Sequence, residues 1–287
     1  MSRDFDTLFP DDRLTGDTPL RQGQLVMLRL LKILDKVSGE LGLTYWLCGG
    51  TLIGAIRHEG FIPWDDDVDV FMPRDHYEEF IRKASDSLPY DVFLQTDSPW
   101  IRLVDRFGHR RFGGANKDFI FIDIFPAKRF PAGRRLLRRA RMLVPPYPLP
   151  GIPAEVSPIR KVYRASIFAL SVFLRITGLG FLIGLICRVG PVRYWSYDLE
   201  VTWRFYFRDD WIFPLRHHKF EDSAFYVPAE WHKVLTHQFD DYMTPPREDD
   251  RVKHGFETFL VTESFGHPES LEWNRYKERK AKGGVPV

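Results

Sequence analysis

The sequence predicts a fold of the α/β or α+β class, on two observations. Apolar residues recur at helical spacing between Pro19 and Leu41, whereas Phe119–Phe125 (FIFIDIF) has the apolar content of a buried strand. Further helix-like and strand-like segments alternate between these two at short intervals. Such alternation is typical of domains in which helices pack on a sheet.

Apolar spacing, glycines and prolines predict the elements up to residue 72. The first helix carries Leu25, Leu28, Leu31, Leu34 and Val37 on one face, and Gly42 ends it. Leu43–Cys48 (LTYWLC) has the composition of a buried strand. The next elements are a helix from Gly49 through Arg57, a turn over Gly60–Trp64, and a strand over Asp65–Met72.

The following elements are shorter. Pro73 ends the preceding strand, and Asp75 is predicted to cap a helix from His76 to Ala84. Strands are then predicted at Val92–Gln95, Ile101–Phe107 and Phe119–Phe125, with a loop at Gly108–Asn116 between the last two.

Composition excludes several classes of protein. The chain has 287 residues, 44% of them hydrophobic, and a formal net charge of +2, which excludes disordered and collagen-like proteins and disfavours non-specific coating of nucleic acid. Cys48 and Cys187 are too few for a disulfide framework or a cysteine-rich zinc site. The polar, acidic start of the sequence has no apolar segment typical of a secretion signal, so we expect a cytoplasmic protein.

The middle third has a different character. Seven basic residues cluster after Pro126, and a proline-rich linker follows them; the cluster consists of Lys128, Arg129, Arg134, Arg135, Arg138, Arg139 and Arg141. Ser166–Cys187 is largely apolar but contains Arg175, which would cost about 2.5–3.5 kcal/mol at the centre of a spanning helix. Two alternatives stay open: a helix in the interface of an anionic membrane, or a helical pair packed on the core.

The acidic run Asp65–Val70 is the first candidate site. On a strand, the carboxylates of Asp67 and Asp69 would share one face about 6–7 Å apart, where they repel each other unless a cation binds between them. Mg²⁺ prefers such oxygen ligands together with substrate phosphates. The alternative is a solvated acidic turn, in which Asp65 or Asp66 acts as a capping or supporting group.

Asp123 is the second candidate, because it lies within the apolar strand Phe119–Phe125. A carboxylate there needs a metal ion, a cationic side chain or several hydrogen-bond donors. We predict a metal shared with Asp67 and Asp69, and a structural salt bridge with an arginine is the alternative.

The third candidate is Gly49-Gly50-Thr51, between a predicted strand and a predicted helix. Glycines at a helix start let backbone N–H groups approach an anion, and the helix dipole favours it. A phosphate cradle beside three carboxylates indicates metal-assisted phosphoryl or nucleotidyl transfer.

The residues also carry a family resemblance. The segment Gly50–Val70, GTLIGAIRHEGFIPWDDDVDV, resembles the signature of the LicD family, phosphotransferases of the nucleotidyltransferase fold that include the fukutin-related proteins. Phe121–Pro126 resembles the family's second block, and Val227-Pro228, Asp241–Pro246 and Arg251 with His254 resemble its C-terminal block. The resemblance covers residues 20–126 and 220–256, and residues 127–219 lie outside it.

This resemblance implies a small mixed sheet backed by helices, with a helical insertion after the catalytic core. The implied domains are a catalytic core at 20–126, a basic and apolar insertion at 127–219, and a C-terminal part of the catalytic domain at 220–276. It also implies an activity: a CDP-activated alcohol gives its phosphoalcohol group, of the phosphocholine or ribitol phosphate kind, to a glycan hydroxyl and releases CMP.

The resemblance further implies roles for residues. Asp67 and Asp69 would bind Mg²⁺, with Asp123 as the third carboxylate of the metal and catalytic site. Donor phosphates would be held by Gly49, Gly50, Thr51, Arg57, His58 and Arg102. The acceptor hydroxyl would lose its proton to Asp123 or to a hydroxide held by the metal. The chain departs from some eukaryotic relatives in lacking a Cys/His zinc element.

Two other functions stay open: a nucleotidyltransferase that moves a nucleotide from a nucleoside triphosphate to a small molecule, and a non-catalytic membrane-associated scaffold. The expected partners are the CDP-alcohol, a glycan or lipid-linked glycan acceptor, and an anionic membrane surface. Nucleic acid is not expected, because the basic cluster has no interleaved aromatic residues. The protein would thus be cytoplasmic, peripheral on the inner face of the membrane.

Overall fold

The computed structural model describes residues 5–112, 117–131, 173, 176–179, 192–197, 206–251 and 256–259. Several predictions fall outside these residues: the arginines from Arg134 to Arg141, the proline-rich linker, most of Ser166–Cys187, and His254. Within them, helices pack on a sheet of several strands, which confirms the α+β prediction.

Six helices lie in the described residues: α1 (Phe5–Leu8), α2 (Pro19–Leu41), α3 (Gly49–His58), α4 (Arg74–Lys83), α5 (Asp209–Ile212) and α6 (Trp231–Phe239). Single-turn 3₁₀ helices occur at Arg13–Thr15, Ala84–Ser87 and Glu248–Asp250. Within the part of the chain that the structure describes, none of the helices has the length and hydropathy that crossing a membrane requires.

The described strands are β1 (Trp46–Leu47), β2 (Asp69–Pro73), β3 (Val92–Gln95), β4 (Ile101–Phe112), β5 (Lys117–Pro131), β6 (Val192–Tyr197), β7 (Tyr206–Arg208), β8 (Arg216–Phe220), β9 (Ser223–Val227) and β10 (Phe256–Phe259). The main sheet has the order β1-β2-β5-β4-β10, and β3 also pairs with β4. Strands β8 and β9 form a separate antiparallel hairpin.

The chain divides into two compact units, Met1–Pro126 with Pro214–Val287, and Ala127–Phe213. The predicted domains at 20–126, 127–219 and 220–276 have other limits and stay a prediction. In the second unit, the end of β5 pairs with β6, and β6 pairs with β7. Asp209 of α5 accepts hydrogen bonds there from Trp195 Nε1 (2.7 Å) and Arg129 Nη2 (2.9 Å).

Helix α2 has the predicted limits, because both of its ends carry strong signals. The Thr18 hydroxyl accepts a hydrogen bond from the Arg21 N–H at 3.1 Å, and Pro19 occupies the first turn. Gly42 ends the helix in the left-handed region with φ +68°. Its apolar face is buried, with Leu30, Leu31, Ile33 and Leu34 among the side chains at the centre of the core.

Buried ion pairs fasten the N-terminal segment to this core. Arg13 donates to both carboxylate oxygens of Asp105, at 3.2 and 2.7 Å. Arg29 of α2 donates to Asp91 at 2.6 Å and to the Phe9 carbonyl at 2.9 Å. All four charged side chains are buried, so each pair compensates a charge that would be costly alone.

Several predicted boundaries are wrong. Strand β1 covers only Trp46–Leu47 of the predicted Leu43–Cys48, and β5 extends beyond the predicted Phe119–Phe125 to Lys117–Pro131. Strand β2 begins at Asp69 rather than Asp65, since residues 65–68 form an irregular segment after a turn at residues 63–64, and the Asp65 N–H donates to the Ile62 carbonyl. Strand β4 continues through Gly108 to Phe112, where a loop was predicted, because β5 pairs along its length. Helix α4 begins at Arg74 after Pro73, so Asp75 lies in the first turn and does not cap it.

Candidate active site

Three of the predicted carboxylates converge around the end of β1. The Cys48 N–H donates to the Asp69 carbonyl at 3.1 Å, and the Asp123 N–H donates to the Val68 carbonyl at 2.9 Å. Burial, and then the charges of Asp69, Asp67 and Asp123, raise the pKa of the Cys48 thiol well above its usual value. Two separate chain segments thus bring Asp67, Asp69 and Asp123 to one place.

The turn before β2 adds a closer acidic cluster. Ligand oxygens of Asp65, Asp66 and Asp67 lie within 4.8 Å of one another, and Asp66 is buried. The predicted geometry, with Asp67 and Asp69 alternating on one strand, is wrong because Asp67 lies before the strand begins. Carboxylates so close repel one another, and a cation between them would relieve that repulsion.

The glycines of α3 allow its first turn to approach these aspartates. Gly49 has φ +56°, which disfavours any residue with a Cβ, and a Cβ there would lie 3.2 Å from Asp69 Oδ2. A Cβ at Gly50 would lie 3.1 Å from Asp65 Oδ2. No side chain caps the N-terminus of α3. Backbone N–H groups and carboxylates are therefore next to each other at this end of the helix.

Thr51 positions Asp69. Its hydroxyl oxygen accepts a hydrogen bond from the Asp69 N–H at 2.8 Å, and the side chain is buried. The hydroxyl keeps its own proton to donate, because a threonine both accepts and donates. Its role as a phosphate ligand stays a prediction.

Asp123 has cationic and neutral donors of its own. Its Oδ1 accepts from Trp100 Nε1 at 2.6 Å and from Arg102 Nε at 3.0 Å. The Arg102 guanidinium also lies 3.9 Å from the centre of the Phe121 ring. The salt bridge considered as an alternative is therefore present beside the other carboxylates, and the shared metal stays a prediction.

Arg57 and His58 lie at the end of α3 and contact each other. Arg57 donates from Nε to His58 Nε2 at 2.9 Å and from Nη1 to the Tyr242 carbonyl at 2.6 Å. Burial, and then the charge of Arg57, lower the pKa of His58 below 6.5, so the imidazole is neutral at neutral pH. Burial also lowers the pKa of Arg57, and the charge of Asp65 opposes this shift.

Sequence reasoning missed four residues of this region as site residues: Trp64, Trp100, Tyr242 and Arg251. The Trp64 and His58 rings meet edge to face with centres 6.5 Å apart, and the Arg251 guanidinium lies 4.0 Å from the Trp64 ring centre. Two sequence features could have indicated them: Trp64 directly precedes the acidic run, and Arg251 lies in the C-terminal block. Because these two residues are far apart in the sequence, no local pattern predicts their contact.

The donor set fits a hard divalent cation. Asp65, Asp66 and Asp67 supply clustered oxygens, and Asp69 lies against Gly49. Carboxylate oxygens with space for phosphate and water are the environment in which Mg²⁺ binds. The basic side chain of Arg57 borders the same acidic residues, as its interaction with Asp65 indicates.

The sequence is similar to those of known proteins. The family model for LicD/FKTN/FKRP, nucleotidyltransferase domain, matches residues 42–133. The chain is 28% identical over 264 residues to lipopolysaccharide cholinephosphotransferase LicD of Haemophilus influenzae, which covers 84% of this chain and 98% of that protein. It is 44% identical over 66 residues to ribitol 5-phosphate transferase FKRP of Mus musculus, 20% of this chain and 13% of that protein. Human FKRP is 62% identical over 29 residues, 10% of this chain and 6% of that protein.

The residues that the family model matches include Gly49, Gly50, the acidic run and Asp123. The sequence is therefore similar to those of LicD-family phosphotransferases, and the match to the nucleotidyltransferase domain lies at residues 42–133.

Proposed function

We propose that this protein is a Mg²⁺-dependent transferase that moves a phosphoalcohol group from a CDP-activated donor to a glycan hydroxyl and releases CMP. The likeness to a cholinephosphotransferase and to a ribitol 5-phosphate transferase supports the transferred group. The observation that carries the proposal is the convergence of Asp67, Asp69 and Asp123 beside the glycine-rich start of α3.

Asp67 and Asp69 would hold Mg²⁺, with Asp123 as the third carboxylate and Asp65 within the same acidic cluster. When bound, Mg²⁺ neutralises charge on the donor diphosphate and on the leaving oxygen of CMP. The Thr51 hydroxyl, which accepts from the Asp69 backbone, fixes the position of Asp69 for this purpose. The hydrogen bonds that Trp100 and Arg102 donate to Asp123 Oδ1 fix the position of that carboxylate.

Gly49 and Gly50 would place backbone N–H groups of α3 against the donor phosphates. A Cβ at Gly49 or Gly50 would lie 3.2 or 3.1 Å from an aspartate oxygen, so a larger residue would displace that carboxylate. Arg57, held by the Tyr242 carbonyl and by His58, would bind the phosphate oxygens that do not face the acidic residues. His58, being neutral, acts through Arg57 as a positioning residue.

The acceptor hydroxyl would attack the phosphorus that carries the alcohol. The new bond joins the acceptor oxygen to phosphorus, the bond from phosphorus to the CMP oxygen breaks, and the acceptor proton passes to Asp123. The ion pair with Arg102, at 3.0 Å, holds the Asp123 carboxylate in position for this transfer.

The test is an incubation of the purified protein with CDP-choline, CDP-ribitol, CTP and ATP in Mg²⁺, with a glycan acceptor. CMP release from a CDP-alcohol, abolished by a chelator, is the expected result. Pyrophosphate release from a triphosphate would instead assign nucleotidyl transfer. No turnover together with no binding of any CDP-alcohol by calorimetry would leave the non-catalytic scaffold.

We also propose that the protein is cytoplasmic and attaches peripherally to the anionic inner face of the membrane, where a lipid-linked glycan would be within reach. The exposure of Phe173 (55%), Ile176 (80%) and Leu179 (42%) supports this attachment. Flotation with vesicles of defined composition tests it: co-flotation with anionic but not neutral vesicles is expected. Equal flotation with both, or none, would overturn the proposal.

A further inference from the structure

Arg251 lies over the indole of Trp64, directly beside the acidic turn. Its guanidinium carbon is 4.0 Å from the ring centre. Stacking of this kind holds an arginine in place while its N–H edge stays available to an acceptor. Trp64 precedes Asp65, whose carboxylate faces Gly50, so Arg251 lies at the border of the proposed donor site.

The hydrogen-bond donors of Arg251 are poorly satisfied. Its Nη1 lies 3.6 Å from Glu248 Oε1, and that carboxylate is 86% exposed. Arg251 Nε is buried and has no hydrogen-bond partner among the residues that the structure describes. A guanidinium has five N–H donors, and a partly buried one without a close acceptor is costly. An anionic ligand would remove this cost.

A series of contacts links Arg57 to Arg251 through His58 and Trp64. Arg57 donates to His58, the His58 ring meets the Trp64 ring, and Arg251 also packs on Trp64. Two guanidinium groups thus flank one aromatic pair next to the carboxylates. Two such cations next to carboxylates suit a group that carries several negative oxygens and binds a metal cation at the same time, as a diphosphate does.

We propose that Arg251, supported by Trp64, binds the diphosphate of the nucleotide donor together with Arg57. This inference rests on the proposed function and adds a donor-specificity residue to it. Arginine rather than lysine suits the position because only a planar group both stacks on indole and donates two parallel hydrogen bonds.

The test compares Arg251→Gln, Arg251→Lys and Trp64→Phe with the exposed neighbour Arg247→Gln as the matched control. Calorimetry in Mg²⁺ measures binding of CDP, CMP and inorganic pyrophosphate. Arg251→Gln should weaken the binding of CDP and of pyrophosphate by about 10- to 100-fold, as expected for lost charge-assisted hydrogen bonds. It should weaken the binding of CMP by less. The affinities of Arg251→Lys and Trp64→Phe for CDP should lie between those of the wild type and Arg251→Gln. The affinity of Arg247→Gln should equal that of the wild type.

Steady-state kinetics shows whether Arg251 binds the nucleotide donor or instead a phosphate group carried by the glycan acceptor. A raised KM for the CDP-alcohol with an unchanged KM for the glycan is expected. A change confined to the acceptor KM, or wild-type CDP binding in a folded Arg251→Gln, would overturn the inference while the proposed function stands. Conversely, binding of CDP that depends on Arg251 without any transfer would refute the proposed function and keep the inference.

Discussion

Arg102 Nε donates to Asp123 Oδ1 at 3.0 Å, between residues that face each other across β4 and β5. The pair is mostly buried, with 21% of the Arg102 side chain and 13% of the Asp123 side chain exposed. A permanent positive charge thus lies beside carboxylates that we propose bind a cation. Arg102 and the proposed metal would therefore compete for the carboxylate of Asp123, and this competition can be measured.

Arg102→Gln should tighten Mg²⁺ binding if Asp123 is a ligand. Removing the guanidinium takes a positive charge away from Asp123, which strengthens the attraction of this carboxylate for a divalent cation. It should also lower the free energy of unfolding without metal by about 1–3 kcal/mol, because a mostly buried charge loses a charged partner. Calorimetric Mg²⁺ titration and denaturation in a chelator measure the two effects.

Arg106→Gln is the matched control for this experiment. Arg106 lies on the same strand, is exposed, and also packs on aromatic rings, those of Tyr90 and Phe93. Its replacement should change neither Mg²⁺ affinity nor activity. An Mg²⁺ affinity that Arg102→Gln leaves unchanged would show that Asp123 is held by the ion pair alone and does not bind metal.

Asp67→Asn and Asp69→Asn should each lower kcat by at least about 100-fold while the fold is kept. In a chelator both variants should melt at or above the wild-type temperature, since each removes a charge from a repulsive acidic group. Turnover assays and thermal denaturation check the two expectations. The exposed Asp86→Asn is the control, and wild-type turnover in Asp67→Asn at saturating Mg²⁺ would refute the assignment.

Helix α2 and the need of Asp123 for a partner were accessible to sequence reasoning, because local signals specify them. Thr18, Pro19 and Gly42 mark the ends of α2, and Asp123 within an apolar strand identified itself as a carboxylate that needs a partner. The identity of that partner was not accessible. It depends on the register of β4 against β5, which places Arg102 opposite Asp123.

The late start of β2 has a similar cause. Gln24 on α2 donates to the Asp65 carbonyl at 3.0 Å, a contact between distant residues that favours a turn over a longer strand. Alternation of Asp and Val alone predicts a strand from Asp65, and no local feature opposes it. The contact of Trp64 with Arg251 was inaccessible for the same reason.

Glu221→Gln should destabilise the fold at neutral pH and have little effect in acid. Arg21 donates to Glu221 at 2.7 Å, and the Phe61 N–H donates at 3.2 Å. Burial raises the pKa of Glu221, but these hydrogen bonds outweigh burial and bring the pKa below 4.5. A carboxyl with a lowered folded pKa stabilises the fold above its unfolded pKa, and this contribution is lost as pH falls through the folded value.

The expected loss for Glu221→Gln is about 1 kcal/mol at neutral pH, because the ion pair is only partly buried. Urea denaturation at several pH values measures it, and the difference from the wild type should shrink below pH 4.5. Glu78→Gln, which removes an exposed ion pair with Arg74, should have almost no effect at any pH. A loss that is independent of pH would mean that Glu221 stabilises by packing instead of charge.

Gly49→Ala should reduce both stability and activity, and Gly39→Ala should reduce neither. Gly49 has φ +56°, where an L-residue costs about 1–2 kcal/mol, and its Cβ would lie 3.2 Å from Asp69 Oδ2. Asp69 must then move relative to Thr51 and Asp67. Gly39 lies on the exposed face of α2 with nothing within 4 Å of its added Cβ, so alanine there should stabilise by about 0.5–1 kcal/mol.

Thermal denaturation and donor KM separate the two effects of Gly49→Ala. If Gly49 serves only the backbone turn, stability falls while Mg²⁺ affinity and kcat stay at wild-type values in the folded fraction. If it also makes room for Asp69 and the donor phosphate, Mg²⁺ affinity falls and donor KM rises as well. We expect the second result, since the added methyl group would contact the aspartate itself.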